Sequence, residues 1–217
     1  YKKGDRYRDI SIKQSAKLAI RRGHKALDQK DLQVFERQSR GQNCIIYALD
    51  ASGSMKGKKI DACKRAGIAL AYKAIHEKDK VGLIVFGSEI KTAIEPTNDF
   101  TFLLRNIAAA RASRQTDFKA ALKKAVELFP YGNAAKHLVL ITDAMPTLGE
   151  EPEKDALKEA SIARNKGITI SLIGINLDDR GKKLAEKIVE IGNGKLYVVK
   201  DVENVDKVVL EDYYHLS

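Results

Sequence analysis

The residues of this chain best suited to chemistry form one short run, Asp50-Ala51-Ser52-Gly53-Ser54-Met55, directly after an apolar stretch. A carboxylate and two hydroxyls at alternate positions are hard oxygen donors. Divalent ions of the Mg²⁺ or Mn²⁺ kind take such ligands, Mg²⁺ in near-octahedral geometry at about 2.0–2.1 Å. Two serines cannot complete that shell, so other loops must contribute. Thr116-Asp117, opening a helical pattern, and Asp143, closing an apolar stretch, are the candidates. Gly53 is expected to allow the tight backbone path of the first loop.

Enzyme chemistry finds less support in the same residues. A phosphatase of the haloacid dehalogenase type needs a second Asp two positions after the first, where Ser52 stands. A dinucleotide-binding GxGxxG and a hydrolase GxSxG are both absent, the first turn offering only Gly53 and Gly57. His24, His76, His137 and His215 are scattered, and each is expected to be structural or solvent-facing. A catalytic metal site would need a base or nucleophile beside the ion, and none is evident. Cys44 and Cys63 sit in apolar patterns without CxxC spacing. They are expected to be reduced and buried, which favours a reducing, cytoplasmic setting.

The elements that must position the oxygen donors alternate regularly. Asn43–Asp50, Lys80–Phe86, Lys136–Thr142 and Ile168–Ile175 are near-continuous apolar runs, the pattern of strands buried on both faces. Lys195–Val199 is a further expected strand, and Glu89–Ile94 a short one joined by a Gly87-Ser88 turn. Helical spacing covers Lys59–His76, Asp99–Ala110, Asp117–Phe129, Pro152–Lys166, Arg180–Ile191 and Val202–Tyr213. This alternation predicts a doubly wound α/β fold: a six-stranded, mostly parallel sheet with one short antiparallel edge strand and helices on both faces. In such sheets ligands bind beyond the carboxyl ends of the strands, where strand order reverses. The loops after Asn43–Asp50 and Lys136–Thr142 follow that rule, and Thr116-Asp117 joins them from the start of a helix.

Ahead of residue 43 the chain has a different character. Residues 1–42 hold 12 Lys/Arg against 5 Asp/Glu, so most of the formal net charge of +10 lies there. Ile10–Lys25 reads as a basic amphipathic helix with Ile12, Ala16, Ala19 and Ile20 on one side, and Asp31–Arg37 as a strand. This segment is too short for an independent domain and is expected to pack on the main body, residues 43–217. A basic arm can also contact nucleic acid or an anionic surface, which gives a second reading: a scaffold in which the metal site is secondary. No apolar run is long enough to span a membrane.

Taken together, Asp50-x-Ser52-x-Ser54, Thr116 some 60 residues on, and Thr142-Asp143 after an apolar strand resemble the metal-ion-dependent adhesion site of von Willebrand factor A and integrin I domains. Within that family, Asp31-Leu32-Gln33-Val34 leading into Ile45–Met55, with Pro96-Thr97, resembles the group containing the D subunit of magnesium chelatase. The resemblance implies that Ser52, Ser54 and Thr116 bind the ion, directly or, for Thr116, through water. Asp50 and Asp143 would act mostly through bound water and hydrogen bonds. It implies no catalysis: the ion would take a Glu or Asp of a protein partner, and an AAA+ ATPase is the partner class associated with that group. Met55, Arg114 and Met145 would rim the ion and touch the partner. Two departures stand out. Ser113-Arg114-Gln115-Thr116 replaces the usual Gly-Gly-Thr, and Ala144 follows Asp143 where Gly is common.

Overall fold

A computed structural model describes residues 11–24, 26–33, 41–112, 116–143 and 151–216. The chain divides into two compact units between residues 40 and 41.

The second unit is built on a six-stranded sheet. Its strands are β1 (Asn43–Asp50), β2 (Lys80–Phe86), β3 (Ile90–Thr97), β4 (Ala135–Thr142), β5 (Ile168–Ile175) and β6 (Asn193–Val199), in the order β3-β2-β1-β4-β5-β6. β3 runs antiparallel at the edge; every other pairing is parallel. The expected architecture is therefore present. β3 is longer than expected because Pro96 continues it. An edge strand tolerates the missing N–H, which in a central strand would leave a ladder bond unmade.

Why β1 is central follows from its side chains, all eight of which are buried. Alternate residues serve two cores. Ile45, Tyr47 and Leu49 face α2 (Lys58–His76), α3 (Phe100–Ala109) and α7 (Val205–Tyr214). Cys44, Ile46 and Ala48 face α4 (Phe118–Leu128), α5 (Pro152–Asn165) and α6 (Asp179–Gly192). Small residues set how closely helices approach the sheet: Ala156, Ala160 and Ala163 of α5 are fully buried at helical spacing. Gly67 of α2 lies against the Tyr47 ring, where an added Cβ would come within 2.7 Å of a ring carbon. Tyr47 cannot retreat, since its hydroxyl donates to the Cys63 carbonyl. Gly67→Ala is therefore expected to destabilise the fold by about 1–3 kcal/mol through overpacking, despite its higher helix propensity. Urea unfolding checks this, and an unchanged midpoint would show that α2 can shift freely.

The first unit contains α1 (Ile12–Arg21) and a 3-10 turn, Gln29–Asp31. Ser15 and Ala19 of α1 are buried, as is Ser11 just before it, whereas Ile12 and Ile20 are 73% and 76% exposed. This corrects the apolar face expected from the sequence. Hydrogen bonding decides it: the Ser15 hydroxyl donates to the Ser11 carbonyl and accepts from the Gln33 amide. α1 is also shorter than Ile10–Lys25, ending in a turn where Gly23 takes a left-handed φ of 74°. Asp31 does not start a strand. It closes the 3-10 turn, its buried carboxylate accepting from Arg22 and bonded to His24. Residues 34–37 of the expected strand lie outside the described residues.

Candidate metal centre

Asp50 is the last residue of β1, and Thr142 the last of β4. Because β1 and β4 are parallel neighbours with Leu49 opposite Ile141, their ends reach the same sheet edge together. β1 is also where the chain's direction across the sheet reverses, β2 lying on one side and β4 on the other. α2, which follows β1, and α5, which follows β4, pack on opposite faces of the sheet, the arrangement that leaves a crevice at these strand ends.

Within that crevice the polar groups form a continuous chain. The Asp50 carboxylate accepts the Ser52 amide at 2.7 Å through one oxygen and the Thr142 hydroxyl at 2.6 Å through the other. The Ser52 and Ser54 hydroxyl oxygens lie 3.0 Å apart. Ser54 donates to one Asp143 oxygen at 2.6 Å, and the Lys59 ammonium donates to the other. One hydrogen-bonded path thus links two loops that are 89 residues apart in sequence.

The third loop reaches the same edge by a backbone tether. The Asp117 amide donates to the Gly87 carbonyl just beyond β2, and the Ala51 amide to Phe86 at the end of β2. Asp117 caps α4 by accepting the Ala120 amide. Thr116, just before this cap, is 2% exposed. The first loop turns tightly at Gly53. Gly53 begins a 3-10 turn, Gly53–Met55, and the left-handed glycine is Gly57, at φ 73°, on the entry to α2.

Burial shapes the electrostatics. Asp50 is fully buried, and loss of hydration pushes its carboxyl up to about 6, against the lowering effect of the Thr142 and Ser52 hydrogen bonds. Burial, with Asp143 and Asp50 nearby, pushes the Cys63 thiol up to about 12. Cys44 and Cys63 are free and buried, so neither resembles a reactive thiolate.

The donor set fits a hard divalent cation. It consists of hydroxyl and carboxylate oxygens, and the buried Asp50 carboxylate lies where a nearby cation would offset its lost hydration. Ser52, Ser54 and Thr116 could supply direct oxygens, with Asp50 and Asp143 behind them. The histidines are engaged elsewhere. His137 pairs with Asp212 at 2.7 Å, His24 with Asp31, His76 stacks on Tyr72 and His215 bonds to the Glu211 carbonyl.

Of the three residues expected on the rim, Met55 is misplaced. Its side chain is fully buried in the core beneath the loop, so it cannot touch a partner. The 3-10 turn points it inward, and burying an apolar side chain outweighs any gain from exposure. Arg114 and Met145 lie outside the described residues, as does Ala144. Thr142 belonged to the matched pattern without an assigned role, and Lys59 was not expected to take part. Lys59 did leave a signal: a cation in the first turn of a helix opposes the helix dipole, which suggests a specific anionic neighbour.

Comparison with known proteins bears on the fold that carries this site. The model of the von Willebrand factor type A domain matches residues 45–211. The chain is 27% identical over 184 residues to inter alpha-trypsin inhibitor, heavy chain 4, of Mus musculus, covering 79% of this chain and 19% of that protein. It is 24% identical over 168 residues to the magnesium-chelatase 67 kDa subunit of Heliobacterium mobile, covering 70% of this chain and 25% of that one. The chain thus spans a quarter or less of these relatives. Among solved structures, proximal thread matrix protein 1 from the mussel byssus, with a zinc-occupied MIDAS motif, superposes with a TM-score of 0.62 at 16% identity. That likeness covers 79% of this chain and 47% of the mussel chain, and at this identity it speaks to the fold.

Proposed function

Given that the chain belongs to the von Willebrand factor type A domain family, we propose that it is a non-catalytic binding module. It would hold one Mg²⁺-type ion at Asp50, Ser52, Ser54, Thr116 and Asp143, and use that ion to take an Asp or Glu of a protein partner. The observation that carries this reading is the path from Thr142 through Asp50, Ser52 and Ser54 to Asp143, which gathers oxygen donors at the strand-order reversal. The zinc-occupied MIDAS motif of the mussel protein supports it. Mg²⁺ or Mn²⁺ is the better match here because the donors are all oxygen.

The choice of partner chemistry follows from the ligand charges. Neutral hydroxyls quench little of the ion's charge, so its open position favours an anionic oxygen. A carboxylate contact of that kind is charge-assisted and gains strength where water is partly excluded. The magnesium-chelatase relative fits the group resemblance, and that resemblance implies an AAA+ ATPase as the partner class.

The test is direct. Mg²⁺ titrated into the protein by calorimetry should bind at one site, and Thr116→Ala should weaken binding about tenfold or more, as losing a positioned ligand does. Capture of the partner should be lost in EDTA and restored by Mg²⁺. The second reading has its own observation: α1 carries Lys13, Lys17 and Arg21 and no acidic residue, beside exposed Ile12 and Ile20. Binding that ignores EDTA, falls steeply with salt and is lost in Arg21→Gln with Lys17→Gln would replace the metal-dependent reading with that one.

A further inference from the structure

We propose that Lys59 sets the charge of the metal site, weakening its hold on the cation and strengthening its hold on the partner's carboxylate. This rests on the metal-site reading above and adds a residue that the DxSxS, Thr and Asp pattern does not contain.

The geometry is specific. Asp143 is 1% exposed at its side chain, and both its oxygens are engaged, one by the Ser54 hydroxyl and the other by the Lys59 ammonium. Lys59 is 30% exposed, so its charge is only partly screened by water. Its position is electrostatically poor unless something offsets it. It lies in the first turn of α2, where unpaired backbone N–H groups already present positive charge. Asp61 in the same turn offsets part of this charge, and the Asp143 contact offsets Lys59 directly and fixes an ammonium beside the candidate ion.

Charge counting gives the consequence. Among the described residues of this path, Asp50 and Asp143 bring two negative charges and Lys59 brings one positive charge, a net single negative charge toward a divalent ion. The loaded site then carries a net positive charge, which one incoming carboxylate neutralises. Without Lys59 the loaded site would already be neutral. The metal would be held more tightly, while an acidic partner would be drawn to it less. One side chain thus moves the two affinities in opposite directions. A unit charge several ångströms from the ion, in a largely aqueous dielectric, changes each by on the order of tenfold.

The experiment uses Lys59→Met, which keeps the aliphatic stem, Lys59→Gln as a second neutral variant, and Lys59→Arg, which keeps the charge. Mn²⁺ is titrated into each and followed by its electron paramagnetic resonance signal. Acetate is then titrated into the Mn²⁺-saturated protein and followed by water-proton relaxation. The neutral variants should bind Mn²⁺ roughly tenfold more tightly and acetate roughly tenfold more weakly, with Lys59→Arg close to wild type. A merely structural lysine would lower both affinities together by letting Asp143 drift, and that result overturns the proposal. So does a neutral variant with unchanged Mn²⁺ affinity. Failure of the wild-type protein to bind Mn²⁺ at all is a different result, because it removes the metal-site reading itself.

Discussion

Asp50→Asn is expected to cut sharply the thermal stabilisation expected from Mg²⁺, while leaving the metal-free protein at least as stable as wild type. An amide can still accept the Ser52 N–H, and the Thr142 hydroxyl can rotate to accept from its NH₂. The loop geometry is therefore kept and the charge is removed. Loss of that charge from the ion's surroundings should lower affinity by about 10–100-fold, the usual scale for disturbing a ligand's support. Stability moves the other way. The buried Asp50 carboxyl is raised from 3.8 to about 6, so the folded chain holds this proton more tightly than the unfolded one between those values. Its contribution to stability is full below pH about 4 and is lost as pH rises through about 6. Ionising it in the metal-free fold at pH 7 costs on the order of 3 kcal/mol, a cost that Asn does not incur. Differential scanning fluorimetry across pH, with and without excess MgCl₂, reads both effects. A variant that responds to Mg²⁺ as wild type does would remove Asp50 from the site. One that loses several kcal/mol without metal would show that geometry, not charge, is what Asp50 supplies.

Met55→Ala should cost about 2–4 kcal/mol of global stability, far more than the change of within about 0.5 kcal/mol expected of a surface loop residue. Met55 ends the 3-10 turn that follows Ser52, and it is fully buried among the residues of the α2 face. Truncation would leave a cavity directly beneath Ser52 and Ser54. Other residues of the same core, Leu49 and Ile141 among them, are held by the sheet ladder and relax poorly. Urea unfolding with an unchanged slope would report the loss as a lower midpoint. A near-neutral result would return Met55 to the surface role that its place in the loop suggested. Met55→Leu, which keeps the volume, should recover most of the stability.

The contrast between Met55 and Ser54 shows what a loop sequence conveys. They are adjacent, and one lies in the core while the other bonds to Asp143 across the crevice. Residue type reveals what each could do, but the turn's dihedral angles decide which way each points. The same holds for α1. Its isoleucine spacing suggested an apolar face, yet two serines occupy the buried side because the Gln33 amide bonds to Ser15. Helical periodicity identifies a stripe, and only a partner surface determines whether that stripe is covered.

The strands were legible for a simpler reason. β1, β2 and β5 start and end at the residues their apolar runs suggested, since a central parallel strand is buried on both faces and cannot interrupt its run with polar residues. The edge strand was the least legible, because one free side relaxes that demand and let Pro96 in. Alternation of strand and helix then determined the doubly wound sheet, and with it the common edge at which β1 ends in Asp50 and β4 runs into Asp143.

Local pattern therefore determined which oxygen-bearing residues this protein brings to one end of its sheet, because burial and handed crossovers leave few other topologies. Tertiary structure decided the rest: that Thr142 holds Asp50, that Met55 is core, and that Lys59 reaches Asp143 across 84 residues of sequence. These are contacts between distant segments, set by side-chain direction and by the need to partner buried charge, and neither is written in the spacing along the chain.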